Sequence, residues 1–396
     1  MDIITIKYWV EGTGDISDTS HLSLSSGGAG GASKLTSSDT LIIDELSGGV
    51  PTGFDLWAWG WNNFGGIGDG GTTQRLSPVQ IGSSTWKMIS CNQNFSMGIL
   101  EDDTLWGWGY NYFGQLGDGT TISRTTGPVQ IGSSTWKMIS AGEQGSHAIL
   151  SDDTLWGWGD NQHGQIGDGS TVDRESGPVQ IGSSTWKFVC RAYLVTHAIL
   201  NDDTLWGWGY NDTYGAIGDG TTVNRHEPVQ IGSSTWKAIS PNGRLHFHAI
   251  LSDDTLWAWG RNVYGQIGDG STINRLSPIQ IGSSTWKSIA GGNEISHAIL
   301  NDNTLWGWGR NNVNQVGDGT TVDKHTPVQI GSSTWKLVDE FHAILSDDTL
   351  WAWGRNFRGK LGDGTTVDRL SSPVQIGSST WKSVNDGIYH ALGTQL

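Results

Sequence analysis

The chain is 396 residues long, only 35% hydrophobic, and carries 23 Lys and Arg against 39 Asp and Glu, a formal net charge of −16. This balance argues against a nucleic-acid partner, which needs a basic stripe to neutralise phosphates, and no apolar run approaches membrane-spanning length. The two cysteines, Cys91 and Cys190, stand at non-equivalent offsets from Trp86 and Trp186, which argues against a disulfide framework and leaves stability to packing.

Residues 1 to 53 read as an attachment arm. Ile3 to Val10 is β-prone, Ser25 to Gly31 is a Gly/Ser-rich tether, and Leu41-Ile42-Ile43 is a second apolar patch before Ser47 to Pro51. Sticky segments on flexible tethers suit docking into a larger assembly. Met1 to Val10 lacks the basic start and apolar core of a secretory signal, so the expectation is a soluble protein that does not use the signal-peptide route.

From Phe54 to the end the chain repeats. Near copies of Leu-Trp-Gly-Trp-Gly begin at Leu56, Leu105, Leu155, Leu205, Leu256, Leu305 and Leu350, a period of about 50 residues, so repeat architecture takes precedence over any single motif. One unit shows the pattern. Trp136 to Ser140 is a first strand, Ala141 to Ser146 a loop, His147 to Leu150 a second strand, Ser151 to Thr154 a tight turn, and Leu155 to Gly159 a third strand. A Gly-rich connection through Gly167-Asp168-Gly169 then leads to a fourth strand at Pro178 to Ile181, and an Ile-Gly-Ser-Ser-Thr-Trp-Lys turn opens the next unit. Four short strands bounded by turn residues make one blade, so residues 54 to 396 are expected to form an all-β, seven-bladed propeller.

The 23 tryptophans are repeat positions: three in each of seven copies, with Trp9 and Trp61 completing the count. On a strand, residues two apart share a face, so Trp156 and Trp158 lie together and Gly157 leaves the other face bare. Every copy has Gly or Ala at that middle position. The expectation is that a neighbouring blade's indoles press against the bare face and that both Trp of each pair glue blades together, each worth roughly 5 kcal/mol gross at ~200 Å² buried. Closure is also legible. The C-terminus supplies a first and second strand without a third, and Phe54 to Trp59 is a third strand without the first two, so the two ends are expected to complete one blade.

Gly114-Gln115-Leu116-Gly117-Asp118-Gly119 after Trp108-Gly109, then Pro128-Val129 and His147, resembles the regulator of chromosome condensation (RCC1) repeat. The resemblance implies a seven-bladed β-propeller with a split closing blade, and a structural role for the second-strand histidines through bonds to nearby backbone. It leaves function open, because the family includes guanine-nucleotide exchange factors, chromatin binders and bacterial protein-binding propellers. The copies here lack long insertions and are unusually uniform, which weighs against an exchange factor.

Candidate chemistry is sparse. His147, His197, His248, His297, His342 and His390 are equivalent, with Met97 in the seventh place, and copies spread over separate blades do not converge on one metal. The acidic turns, such as Asp102-Asp103 and Asp152-Asp153, are turn chemistry rather than acid/base pairs, and the Gly-Asp-Gly connections lack the Lys of a phosphate loop. Neither a catalytic residue nor a cofactor is indicated. Asn94-Phe95-Ser96 and Asn211-Asp212-Thr213 match glycosylation sequons.

Turn parity separates two edges. In an antiparallel meander, first-to-second and third-to-fourth connections share one edge, and the near-constant Asp-Asp and Gly-Ser-Ser-Thr turns share the other. Nearly all variation, and all twelve arginines, fall on the first edge. The expected partner-binding residues are Trp61, Tyr110, Tyr112, Arg191, Tyr193, Tyr210, Arg244, Arg261, Tyr264, Arg310, Arg355 and Arg358, an Arg- and aromatic-rich composition typical of interface hot spots. The functional expectation is a non-enzymatic display propeller, a phage or virion surface component recognising a protein or glycan. The rivals are a nucleotide-exchange factor for a small GTPase and a lectin using exposed Trp.

Overall fold

The computed structural model describes residues 53–211, 213–240 and 244–396, so the expected arm lies outside the described residues apart from Gly53. These residues form 21 strands and one 3-10 turn, Phe357–Gly359, with no helix among them long and apolar enough to cross a membrane. The strands follow one scheme: β1 (Phe54–Gly60), β2 (Arg75–Cys91), β3 (Phe95–Leu100), β4 (Thr104–Gly109) and β5 (Arg124–Ala141), continuing to β20 (Arg369–Asp386) and β21 (His390–Gln395).

Every third strand is long, and this differs from the sequence expectation. The fourth strand of one unit and the first of the next are a single strand of 15 to 18 residues rather than two strands joined by a turn. The Gly-Ser-Ser-Thr segment runs through its middle, with Gly132 at φ 62° providing the kink where the chain leaves one sheet for the next. Thus β5 pairs through Arg124 to Gln130 with β4 and through Trp136 to Ala141 with the strand Gly145–Leu150. The ends close as expected: β1 pairs antiparallel with β21, Asp55 opposite Gln395 and Gly60 opposite His390, while β21 also pairs with β20.

The tryptophans divide into three roles. The second of each pair, Trp108, Trp158, Trp208 and their equivalents, is fully buried, and its indole N–H donates to a backbone carbonyl in the preceding unit, as Trp208 does to Gln165 O at 3.0 Å. The same indole rests on the first glycine of that unit's Gly-Asp-Gly segment: a Cβ on Gly167 would sit 2.5 Å from Trp208 Nε1, and Gly167 has φ 91°. This is the seam. The first of each pair is only half-buried; Trp206 packs against the cluster that holds Ile181 and Trp186, but its N–H donates within its own unit, to Thr204 Oγ1 at 2.9 Å, so of the two indoles expected to glue blades only the second also bonds across the seam. Trp186, after Gly-Ser-Ser-Thr, is buried and packs edge-on to Trp206 and Trp208. The bare middle of the third strand is not covered by a neighbour's indoles either. A Cβ on Gly157 would meet His147 and Ile166 of its own unit, so the small residue makes room for the histidine.

That histidine is structural. His147 Nε2 bonds to Ile166 O at 3.0 Å and His197 Nε2 to Ile217 O at 2.9 Å, with His248, His297 and His342 placed alike. His390 departs, meeting Ser96 Oγ at 2.7 Å.

Candidate functional site

The two variable loop sets share one edge, because their backbones bond to each other. Tyr110 N donates to Asn94 O at 3.0 Å, Arg261 N to Leu245 O at 2.8 Å, Arg310 N to Glu294 O at 2.9 Å, and Trp61 N to Tyr389 O at 3.0 Å. The acidic turns occupy the other edge, where Trp136 N donates to Asp103 O at 2.9 Å and Lys87 pairs with Asp103 at 2.6 Å. The first Asp of each turn caps the following Thr, as Asp152 Oδ1 does for Thr154 N and Oγ1, and those bonds hold its pKa below the usual range. The second Asp takes positive φ, 73° at Asp153.

Each third-to-fourth connection is a closed network that the sequence reading missed. A buried Asn stands two residues after every third strand. Asn161 Nδ2 donates to Asp168 Oδ1, Ser170 O and Val172 O at 3.1 to 3.2 Å, and its Oδ1 accepts from Ile166 N at 2.8 Å. Asp168 in turn accepts from Ser170 N and from Arg174 Nε. The signal was an Asn recurring in loops that otherwise vary. Two consequences follow. The Gly-Asp-Gly segments turn donors inward, Gly167 N to Gly164 O and Gly169 N to His226 O, each at 3.0 Å, rather than toward a shared anion, and Asn211, buried and bonded in the same way as Asn161, is not an accessible glycosylation acceptor.

The network also changes the electrostatics expected of this edge. Arg75, Arg124, Arg174, Arg225, Arg275 and Arg369 are each paired with the Asp of their own loop, with Lys324 and Asp318 as the seventh pair. Half of the twelve arginines are therefore structural. Of the expected partner residues, Arg191 is corrected outright. It is fully buried over Gly142 and Gly145 of the preceding unit and donates to Gln165 O and Asp160 O. Burial lowers its pKa to about 10, which leaves it cationic but inaccessible.

The remaining residues fall into separate sectors. Tyr110 stacks with Tyr112 and touches Phe64, Tyr112 being 66% exposed, and Tyr210 meets His163. Arg244 lies over Tyr193 and bonds to Glu143 at 2.7 Å, while Arg261 and Arg310 share Glu294 beside Tyr264. Only Arg355 and Arg358 have no carboxylate partner among the described residues of this set. Arg358 lies 3.3 Å from the Trp61 ring centre and 4.8 Å from that of Phe357, and Arg355 lies 5.4 Å from the Phe357 ring. Tyr389 completes the shelf, edge-on to Phe357. Arg358 adopts φ 62°, a left-handed conformation costing on the order of 1 kcal/mol in a non-glycine residue.

A cavity of about 590 Å³ opens beside this shelf, lined by Arg244, Arg310, Arg355, Phe357 and Tyr389 and floored by Glu340, Phe341 and Lys360. The floor is neutralised internally. Lys360 Nζ bonds to Glu340 Oε2 at 2.6 Å and lies over Phe341, and the buried Asp386 accepts from Phe341 N at 2.8 Å and meets His342 Nδ1 at 2.7 Å. Burial would raise the Asp386 pKa, but His342 and Lys360 outweigh it and hold it at about 2. Lys360 was legible as the one basic residue at a position that is otherwise Gln, Ala or Gly.

The RCC1 repeat family model matches residues 55–99, 102–149, 152–191, 253–299, 302–338 and 347–393, more than half of the chain, and a second RCC1 repeat model matches 87–115 and 137–165. Comparison with curated proteins found no match. Among solved structures, human WBSCR16 superposes with TM-score 0.78 at 17% identity, covering 86% of this chain and 98% of that one. Yeast RCC1 (Prp20) bound to Kap60 superposes with TM-score 0.78 at 18% identity, covering 87% and 89%. Prp20p from Saccharomyces cerevisiae, described with its binding to Gsp1p and histones, gives TM-score 0.77 at 18% identity, covering 87% and 92%. At such identities the likeness establishes the RCC1-type propeller fold alone.

Proposed function

Because the chain belongs to the RCC1 repeat family, we propose that it is a non-enzymatic binding propeller of seven blades whose variable edge captures a partner through acidic groups, protein carboxylates first and acidic glycans second. The pairing scheme, seven long strands each shared by consecutive sheets, supports that blade count. One observation carries the binding reading: among the described residues, Arg355 and Arg358 are the arginines of the variable edge that are neither buried nor paired with a carboxylate, and they stand on an aromatic shelf of Trp61, Phe357 and Tyr389. Guanidinium over aromatic rings, next to a cavity, is the chemistry of an anchor for carboxylates. The Gly/Ser-rich arm suits display on a phage or virion surface.

The test is binding to an array of Asp/Glu-rich peptides and acidic oligosaccharides. The Arg355→Glu/Arg358→Glu chain should lose binding at least tenfold with an unchanged melting temperature, whereas Arg310→Glu, already paired with Glu294, should lose less. Equal losses, or none, would overturn the assignment. Catalysed nucleotide release from a small GTPase would replace it with the exchange-factor reading.

A further inference from the structure

The half-buried tryptophans lie in grooves of their own, away from the variable edge. One groove, about 430 Å³, is walled on one side by Gln180 and Ser184 of a long strand and on the other by Trp206, Glu227 and Pro228 of the following unit. A second, about 220 Å³, is lined by Ser134, Trp156 and Pro178, the same positions one unit earlier. The Trp, Pro, Gln and Ser recur in all seven units.

Two features distinguish these grooves from ordinary surface. The Gln and the Gly-Ser-Ser are exposed in every unit yet identical in all seven, while loops of equal exposure on the other edge have diverged. Fold does not require a fixed residue at a solvent-facing position away from special backbone geometry. Gly132 is held by its φ of 62°, but Ser134 and Gln130 have no such constraint. The indole is also presented in one way only: Trp206 Nε1 is used by Thr204, so the ring, rather than the N–H, is available to a ligand.

We propose that these seams are a repeated set of binding sites for neutral saccharides. A pyranose offers an apolar C–H face to the indole and a rim of hydroxyls to the Gln amide and Ser hydroxyl. Proline-rich peptides fit less well, since they need several parallel aromatic ridges and each groove holds one half-buried indole beside polar groups. The net charge of −16, with Glu227 in the larger groove, disfavours anionic sugars. Each groove binds weakly, and the set binds a repetitive polysaccharide by avidity. This site is independent of the arginine shelf.

The experiment uses the full chain with cellobiose, lactose and N,N′-diacetylchitobiose as probes, read by native mass spectrometry and tryptophan fluorescence at millimolar sugar. At least one probe should bind at several equivalents per chain and perturb tryptophan emission. Ser184→Tyr, which fills the larger groove from an exposed position, should remove about one equivalent, and Ser134→Tyr/Ser184→Tyr/Ser234→Tyr about three. Ile122→Ser, at an exposed residue outside the grooves, should leave the number of equivalents unchanged. Absence of binding by all three probes, a single equivalent indifferent to the tyrosine variants, or saturation of the grooves by polyproline peptide instead of sugar would each overturn the proposal. Trp206→Phe, which keeps a ring in place, guards against loss through misfolding and should weaken rather than abolish its site.

Discussion

Acid should unfold this propeller well above the pH at which its carboxylates titrate. Six histidines, His147, His197, His246, His248, His297 and His390, are sealed in the core, and burial pushes each from 6.5 down to about 3 or 4. In the unfolded chain they take up protons near pH 6.5, whereas the folded chain resists until pH 3 to 4, so the unfolded state binds more protons across that window and stability falls as pH falls. At about pH 5 each group costs roughly 2 kcal/mol, and six cost roughly 12 kcal/mol, comparable to the whole stability of a typical domain. The carboxylates with lowered pKa values, such as Asp152 and Asp168, lose their contribution only below 3.8 and cannot account for a transition at pH 5. Near-UV circular dichroism and tryptophan fluorescence against pH should place the midpoint near pH 5. Calorimetry in buffers of different ionisation enthalpy should find roughly five to six protons taken up on unfolding there. His147→Gln/His197→Gln, whose amides can still donate to Ile166 O and Ile217 O, should move the midpoint about half a unit lower. Uptake of about two protons or fewer, or a chain still folded at about pH 4, would refute the reasoning.

Three further outcomes test the packing. Trp208→Ala should lower stability by about 3–5 kcal/mol in urea unfolding and Trp206→Ala by clearly less, because only the former is fully buried and hydrogen-bonded across units; equal losses would contradict the division of roles. Gly167→Ala, forced against the Trp208 indole at positive φ, should by itself cost about 2–4 kcal/mol. Asn161→Leu should leave the Ser170 and Val172 carbonyls and Ile166 N without their partner and cost about 3 kcal/mol, with hydrogen exchange accelerated in that loop alone; uniform acceleration would show that the Asn acts on the whole fold.

Much of the architecture was readable because it is periodic. The spacing of Leu105, Leu155 and Leu205 located the third strands, strand alternation put Trp156 and Trp158 on one face, and the incomplete units at the two ends anticipated the pairing of β1 with β21. Turn parity placed the variable loops on one edge, and their mutual hydrogen bonds agree. The candidate site was less legible. Arginine was counted as surface charge wherever it fell, yet Arg174 neutralises Asp168, Arg310 neutralises Glu294, and Arg191 is buried.

The Leu-Trp-Gly-Trp-Gly period, the turn chemistry of Asp-Asp-Thr and the paired half-units at the ends are matters of local spacing, and spacing is written in the chain. Which indole enters a seam and which stays half exposed was decided by the third dimension. Trp206 and Trp208 share a face and a strand, and what distinguishes them is the chain of the neighbouring unit, whose Gly167 and Gln165 O close on Trp208 while Trp206 bonds to its own Thr204. The same holds for charge. A guanidinium is free or spent according to the carboxylate that folding brings within hydrogen-bond reach, and that distance, unlike a period, has no signature in one dimension.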